Sequence, residues 1–258
     1  MLNERQEFIL EQLKEVGSVQ VDAMASSFDV TTQTIRRDLS DLCDRGLAAR
    51  IHGGARRLIS TSTVDYEERR QLEVSAKNGI ARRAAELIPD GCSVAINIGT
   101  TIEQVADAVK YHKDLTVVTN NINVVHILRR ARLKSLIIVG GEVRPSDGAI
   151  IGNDAIDAFR NYKVDFAVIG ASSLDTDGSI LDFDQREVAV SRAILANART
   201  RILVCDRSKF SVSAPHRICN VSELDFIVTD AQPPLEFEVA AKQAKTTLIV
   251  TDDGNETE

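Results

Sequence analysis

The chain has 258 residues, of which 43% are hydrophobic and 27% charged, as is ordinary for a globular protein with one sizeable core and a small extra domain. Its net charge of −7 excludes a global positive field, so any attraction to nucleic acid must be local. Apolar runs such as LIIV at 136–139 are too short to span a bilayer, and the start MLNERQEFILEQ is charged too early for a signal peptide. We therefore expect a cytoplasmic protein without a membrane partner.

Three helices are predicted in the first 46 residues. The first covers 3–16, with Asn3 as its N-cap, and the second covers Val21–Phe28. The third begins in TTQTIRRDLSDL, where Thr31 or Thr32 is the N-cap, and ends at Gly46. The segment LAARIHGGARRL at 47–58 then predicts two short strands around a turn. Three helices followed by a hairpin are typical of a winged helix-turn-helix.

The third helix is predicted to present a polar face for the major groove of DNA. Ile35, Leu39 and Leu42 have the spacing of a buried stripe. The side chains left on the outward and flanking faces are Thr32, Gln33, Thr34, Arg36 and Arg37. Adjacent arginines usually belong to a solvated surface. Here 36–57 holds six arginines against three aspartates, a local +3 in an acidic chain, which favours DNA contact.

A polar linker is predicted at 59–74, containing STSTV and the charged stretch DYEERR, and a second domain at 75–251. In this domain helical segments alternate with short apolar runs, which predicts an α/β fold with a mostly parallel sheet covered on both faces. The predicted helices are 72–88, 101–110, 121–132, 152–161 and 184–199. The predicted strands are 93–98, 115–118, 136–139, 165–169, 201–205, 224–229 and 246–250.

Small polar clusters follow the first three of these strands. They are Gly99-Thr100-Thr101, Thr119-Asn120-Asn121 and Gly140-Gly141-Glu142-Val143-Arg144. Each cluster alone is an ordinary turn or N-cap. Ligands of open parallel sheets bind at the carboxyl ends of strands, and helix N-termini favour phosphate. Together the clusters predict a site for a phosphorylated small molecule.

Acidic residues lie in and near GSILDFDQRE: Asp175, Asp177, Asp182, Asp184 and Glu187. Paired carboxylates suit acid–base catalysis or a metal, but a solvated acidic loop followed by an N-capped helix is favoured. Lys209, after a strand-end aspartate, is a candidate second cation for the ligand. The four cysteines and four histidines lack metal-ligand spacing, so neither a metal nor another cofactor is expected.

The motifs resemble those of DeoR-type bacterial transcriptional regulators. The match includes TTQTIRRDLSDL and LAARIHGGA, and continues through NIGTT, GGEVR, DGAIIG, DFAVIGASSLD, FDQREVAVSRAI and DRSKF over essentially the whole chain. The resemblance implies a repressor that binds double-stranded operator DNA as a homo-oligomer, a dimer or a tetramer. It also implies a sensor domain related in fold to ribose-5-phosphate isomerase, whose effector lowers operator affinity.

Carried over by position, the resemblance assigns residues to both functions. The DNA-binding residues are Thr32, Gln33, Thr34, Arg36, Arg37, Arg50, His52 and Gly53. The effector-binding residues are Gly99, Thr100, Thr101, Asn120, Asn121, Glu142, Arg144 and Lys209. Within the family, TNNINV, LDFD and TDAQPP are most similar to regulators of glycerol 3-phosphate metabolism, which favours glycerol 3-phosphate as the effector.

Two positions depart from the family pattern: relatives commonly have aspartate where this chain has Asn97, and often lysine near Ser191. Asparagine cannot act as a general base, so both departures favour sensing over turnover. Two alternatives stay open. One is a repressor that responds to another sugar phosphate. The other is a phosphosugar isomerase that uses Asp165, Asp184 or Glu187 as base and Lys209 as electrophile.

Overall fold

The computed structural model describes residues 2–16, 18–45, 47–51, 53–57 and 66–251. His52 and the first part of the predicted linker lie outside the described residues. The amino-terminal part contains, in chain order, α1 (Glu4–Val16), β1 (Ser18–Gln20), α2 (Val21–Phe28), α3 (Thr32–Asp44), β2 (Ala48–Ile51) and β3 (Gly54–Arg57). The three predicted helices and the two wing strands are thereby confirmed.

This amino-terminal unit has its own small core. Ile9 and Leu13 of α1 pack with Ile35, Leu39 and Leu42 of α3, and all five are at most 1% exposed. The wing is a three-stranded antiparallel sheet in the order β1-β3-β2. Strand β1 was not predicted, because three residues are too few to establish a period of two.

The remaining elements form the second domain. They are α4 (Tyr66–Gln71), α5 (Val74–Ala85), β4 (Ser93–Ile96), α6 (Thr100–Val109), β5 (Thr116–Thr119), α7 (Ile122–Leu128), β6 (Ser135–Ile138), β7 (Glu142–Arg144), β8 (Ala149–Ile151), α8 (Asn153–Arg160), β9 (Val164–Ile169), β10 (Ser173–Leu174), β11 (Ser179–Asp182), α9 (Gln185–Ala196), β12 (Ala198–Val204), β13 (His216–Asn220), β14 (Phe226–Thr229), α10 (Leu235–Ala244) and β15 (Thr247–Val250). None of these helices, nor those of the amino-terminal unit, is long and apolar enough to cross a membrane.

Seven parallel strands form the central sheet in the order β15-β14-β12-β9-β4-β5-β6. Ile96 packs on one face with Ile80 of α5, while Ala95 packs on the other with Ile194 of α9, so both faces are covered as predicted. The chain runs outward from β4 through β5 to β6, then returns to place β9 on the opposite side of β4. This reversal creates a crevice at the carboxyl ends of β4 and β9, where ligands of such sheets bind.

Several elements escaped prediction from sequence. The hairpin β7-β8 and the small antiparallel sheet β10-β11-β13 lie in segments interpreted as loops, since each strand is short. Helix α4 falls within the predicted linker. It contacts α6 of the second domain through Tyr66 and Arg70.

Candidate DNA-binding surface and ligand cavity

Helix α3 has the exposed polar face that the sequence predicts. Thr31 caps the helix, its Oγ1 accepting a hydrogen bond from the Thr34 amide at 3.3 Å. Among the remaining polar residues of the first two turns, Gln33, Arg36 and Arg37 are exposed and Thr32 is half-buried. The half of the helix that would enter a major groove therefore carries amide, hydroxyl and guanidinium donors, the groups that read base edges.

A buried ion pair fixes the position of this helix. Asp38 is 6% exposed, and its Oδ2 accepts from Arg5 Nε of α1 at 2.5 Å. Gln6 of α1 also donates from Nε2 to Asp38 Oδ1 at 3.4 Å and to Asp41 Oδ2 at 2.9 Å. This buried ion pair was not predicted, since an aspartate in a charged helix normally faces solvent.

The wing places two of its predicted contact residues at the surface. Arg50 is exposed, and its Nη1 donates to Ser40 Oγ of α3 at 3.2 Å. Gly53 occupies the hairpin turn with a φ of +78°, a conformation that favours glycine. The predicted contact of His52 lies outside the described residues.

Gly54 is a point where side-chain atoms cannot be added. A Cβ there would lie 2.0 Å from the Val19 carbonyl oxygen, because β1 and β3 approach closely at this pair. We expect Gly54→Ala to separate β1 from β3 and to weaken operator binding at least tenfold, while ligand binding in the second domain is retained. Gel shift and calorimetry measure the two affinities. The neighbouring residue, Ala55, is fully buried. If Gly54→Ala binds the operator with wild-type affinity, the wing tolerates a separation of β1 from β3 and the prediction is wrong.

In the second domain, a cavity of about 480 Å³ opens at the carboxyl ends of β4 and β9. We call it the strand-end cavity. Its wall comes from α4, the turns after β4 and β9, the β7-β8 hairpin, and the β11-α9 segment. The polar and glycine residues in it include Tyr66, Arg69, Gly99, Arg144, Asp147, Ser172, Asp182, Asp184 and Glu187. An adjoining recess shares part of this wall and adds Thr100, Thr101 and Lys209.

One side of the strand-end cavity suits an anion. Gly99 has a φ of +126° and precedes the ten-residue helix α6, so the amides of Thr100 and Thr101 lie at a helix N-terminus. Lys209 follows β12, the strand next to β9, and its Nζ lies 3.8 Å from Asp206 Oδ2. The structure thus brings together four of the residues predicted to bind an effector, from two separate strand ends.

The cavity also holds acidic side chains, and two of them, Asp182 and Glu187, line the recess beside Lys209 as well. Arg144 pairs with three carboxylates, at 2.5 Å from Asp147, 2.9 Å from Asp184 and 2.8 Å from Glu187. The buried Asp182 accepts from the backbone amide of Phe183 at 2.6 Å. Arg144 is therefore in the cavity as predicted, but its charge is already paired.

The predicted solvated acidic loop is right for part of this region and wrong for the rest. Asp175 and Asp177 are exposed, and Asp184 caps α9 by accepting from the Arg186 amide at 2.9 Å. Asp182 is buried, and Glu187 forms an ion pair inside the cavity, because Arg144 of the β7-β8 hairpin supplies the countercharge. Among the described residues, no group of three or more His, Cys, Asp or Glu side chains is arranged to hold a metal ion.

The buried carboxyl groups of the cavity make the stability of the protein depend on pH. Burial raises the pKa of Glu187 from 4.5 to about 8, the Asp182 carboxylate adds to the rise, and Arg144 opposes it. A raised folded pKa stabilises the native state fully below pH 4.5, and this stabilisation is lost as pH rises through about 8.

We therefore expect Glu187→Gln to remove a pH-dependent contribution to the free energy of unfolding. The free energy of unfolding of the wild type, relative to the variant, should fall between pH 4.5 and about 8 and be constant below that range. Denaturant titrations at a series of pH values measure it. Glu86→Gln, at an exposed glutamate, serves as the control. Parallel curves for wild type and Glu187→Gln would contradict the assignment.

Three residues predicted to bind the effector do not line the cavity. Asn120 and Asn121 are 1% exposed, and they anchor β8: Asn120 donates from Nδ2 to the Ile150 carbonyl at 3.0 Å, and Asn121 pairs with Ala149. Glu142 is exposed and pairs with Arg186 at 3.5 Å. Strands β5 and β6 lie on the far side of β4 from β9, and of the residues predicted from the clusters that follow them, Arg144 lines the cavity while Asn120, Asn121 and Glu142 do not.

Asp165, one of the residues considered as the base of an isomerase, also lies outside the strand-end cavity. It lies near the start of β9 and accepts from the amide and hydroxyl of Ser93 at 2.9 and 2.6 Å. The start of a parallel strand is at the opposite edge of the sheet from the strand-end cavity. Asp165 therefore cannot reach a ligand there.

The two departures from the family pattern contact each other. Asn97 and Ser191 are 2% and 1% exposed, and Asn97 Nδ2 donates to Ser191 Oγ at 2.8 Å. Asn97 Oδ1 is buried and has no hydrogen-bond partner among the described residues. The two residues thus form a neutral amide–hydroxyl pair in the core.

Comparison with known proteins identifies both parts of the chain. Residues 5–61 match the DeoR-like helix-turn-helix domain, and residues 72–231 match the DeoR C terminal sensor domain. The glycerol-3-phosphate regulon repressor of Escherichia coli K12 is 40% identical over 232 residues, covering 90% of this chain and 92% of that protein. Its counterpart in Haemophilus influenzae is 38% identical, with 95% and 96% covered. The HTH-type transcriptional repressor CsqR of Escherichia coli K12 is 34% identical, with 96% and 95% covered.

Solved structures are matched more distantly. Ribose 5-phosphate isomerase from Plasmodium falciparum has a TM-score of 0.37 at 13% identity, covering 54% of this chain and 52% of that one. eIF2B beta from Chaetomium thermophilum has a TM-score of 0.48 at 16% identity, covering 67% and 54%. Similarity at this level gives no information on activity. The matches to both domains and to named repressors over nine-tenths of their length show that the chain belongs to the DeoR family of transcriptional regulators.

Proposed function

We propose that this protein represses transcription from an operator and is released from it by a small phosphorylated polyol or sugar, with glycerol 3-phosphate as the favoured effector. The observation that carries the proposal is the strand-end cavity, where Lys209 and the N-terminus of α6 lie near carboxyl groups, in the same chain as a helix with exposed arginines. The names of the two glycerol-3-phosphate regulon repressors favour that effector.

The charges of the cavity orient the ligand. A phosphate dianion is attracted by Lys209 and by the N-terminus of α6, so it binds at the Gly99–Thr101 turn. Carboxylates accept hydrogen bonds from hydroxyl groups, so the polyol end of the ligand lies toward Asp182 and Glu187. A molecule with a phosphate at one end and vicinal hydroxyls at the other meets both requirements.

Specific DNA binding requires more than one copy of the amino-terminal unit, the DNA-binding head of each chain. A single recognition helix reads only a few base pairs, whereas an oligomer places two or more helices on half-sites about one helical turn apart. We therefore propose a homodimer or homotetramer. Operator DNA and phosphorylated metabolites both occur in the cytoplasm, where this proposal places the protein.

The effector acts by differential affinity. It must bind the arrangement that is not competent for DNA more tightly, because equal affinity for both arrangements shifts nothing. A coupling free energy of about 1–3 kcal/mol changes operator affinity between about 5- and 150-fold.

A thermal-shift screen tests the proposal. The full chain is heated with glycerol 3-phosphate, other polyol and sugar phosphates, glycerol and inorganic phosphate. A ligand at 100 times its Kd should add about 2.7 kcal/mol of stability. Lys209→Gln should lose most of this gain, whereas Lys163→Gln, at an exposed lysine outside the cavity, should keep it. If no phosphorylated compound stabilises the wild type, the sensing proposal is wrong.

A further inference from the structure

Helix α4 joins the amino-terminal unit to the wall of the strand-end cavity. It is the next described element after wing strand β3, with residues 58–65 between them. Two of its side chains, Tyr66 and Arg69, line the cavity, and Arg69 also lines the recess that holds Thr100, Thr101 and Lys209. A segment that the sequence marked as linker is therefore part of the site.

Two buried ionisable side chains hold α4 in place. Lys77 of α5 is 4% exposed, and its Nζ donates to the carbonyls of Arg69 at 2.5 Å and Leu72 at 2.6 Å, at the end of the helix. Glu103 of α6 is 2% exposed; its Oε1 accepts from the Tyr66 hydroxyl and its Oε2 lies 3.1 Å from Arg70 Nε. Helix α4 is thus fastened to α6, the helix whose N-terminus forms the anion-binding side of the cavity.

In the part of the chain that the structure describes, Arg69 forms no ion pair with a carboxylate. Its Nε is buried with no hydrogen-bond partner among the described residues, and its guanidinium lies 5.5 Å from the centroid of the Tyr66 ring. The Arg69 side chain lines both the cavity and the recess, so a phosphate there can accept charge-assisted hydrogen bonds from the outer nitrogens of its guanidinium. Arg144, across the cavity, differs because three carboxylates already occupy its donors.

We propose that Arg69 binds the phosphate of the effector together with Lys209 and the N-terminus of α6, and that α4 carries the resulting change to the DNA-binding head. The inference rests on the proposed function. It adds a ligand contact outside the strand-end motifs and names the element that couples the two domains. Arg69 lies on the next described helix after the wing, so a phosphate contact at Arg69 acts on the element of the sensor domain that follows the DNA-binding unit in the chain.

The test separates binding from coupling. Arg69→Met keeps the aliphatic stem but removes the charge. We expect its affinity for glycerol 3-phosphate, measured by calorimetry on the full chain, to fall roughly tenfold to hundredfold, the range of a lost charge-assisted hydrogen bond. Its operator affinity without effector, measured on duplexes selected from random-sequence DNA, should equal that of the wild type. Arg69→Lys, which keeps the charge, should recover part of the effector affinity.

Arg70→Met tests transmission, since it removes the guanidinium that pairs with Glu103 and lies outside the cavity lining. We expect it to bind glycerol 3-phosphate within about threefold of the wild type, yet to need a higher occupancy for operator release. Arg83→Met, at an exposed arginine paired with Glu86, is the matched control and should behave as the wild type in both assays.

The outcomes distinguish the two proposals. Wild-type effector affinity in Arg69→Met would overturn the inference while leaving the proposed function intact. Wild-type release by Arg70→Met would overturn the coupling role of α4. Absence of any effect of glycerol 3-phosphate or other sugar phosphates on the wild type would overturn the proposed function itself.

Discussion

Replacing Arg36 by alanine is expected to remove specific operator binding while leaving effector binding unchanged. Arg36 is exposed next to the fully buried Ile35, so its side chain is free to enter the groove while the helix stays packed. A bidentate contact of arginine to guanine is worth about 1–3 kcal/mol, and an oligomer that binds through two heads loses it twice. Gel shifts against specific and random duplexes measure the loss.

The control for this variant lies on the same helix. Arg45 follows α3 at its far end and pairs with Asp41 at 2.9 Å, so Arg45→Ala removes an equal charge away from the groove-facing half. It should weaken specific and non-specific binding alike and only slightly. If Arg36→Ala loses effector binding as well as DNA binding, its effect is a folding defect and the recognition role is not supported.

Replacing Asn97 by aspartate is expected to destabilise the second domain by about 3–5 kcal/mol at pH 7, the cost of an uncompensated buried charge. Asn97 is 2% exposed, and its partner, the Ser191 hydroxyl, cannot neutralise a carboxylate. Burial raises the pKa of such an aspartate above its unfolded value of about 3.9. The cost is therefore absent below about pH 4 and grows as pH rises toward the folded pKa.

The matched variant carries both Asn97→Asp and Ser191→Lys, so that two contacting positions hold an ion pair. It should recover most of the stability that the single change loses, and a double-mutant cycle measures the coupling. Equal stability of the wild type and Asn97→Asp at pH 7 and pH 4 would show that water or another charge reaches this site.

The elements with clear periodicity were predictable. The three helices of the head follow from apolar spacing and from caps at Asn3 and Thr31, and the seven main strands follow from apolar runs. The strands of the β7-β8 hairpin and the small antiparallel sheet are two to five residues long, too short for a period to be read. The local sequence pattern determines which segments form helices and strands, but it does not determine which strands pair.

The ligand site was only half predictable for the same reason. Gly99, Thr100 and Thr101 were found because a glycine followed by hydroxyls after an apolar run is a local signal. Asn120 and Asn121 were chosen because their strand follows in the chain, but β9, far along the sequence, is the neighbour that completes the crevice. Strand order depends on long-range pairing, which one sequence does not encode locally.

Two cavity residues outside the strand ends, Arg69 and Asp147, were harder to predict from the sequence. Arg69 lies in DYEERR, a run that reads as a solvated surface until Lys77 and Glu103 are seen to hold it against α6. Asp147 was overlooked because it pairs with Arg144 within a hairpin that was interpreted as a loop. In both cases the partner that gives the residue its role is invisible in the local pattern.

Operator release by a metabolite is the central claim, and a gel-shift titration tests it most directly. A fixed concentration of the full chain is bound to a duplex that it selected from random-sequence DNA, and glycerol 3-phosphate is added up to millimolar concentration. We predict a fall in operator affinity of about 5- to 150-fold. Unchanged affinity with glycerol 3-phosphate and with every other sugar phosphate would contradict the account.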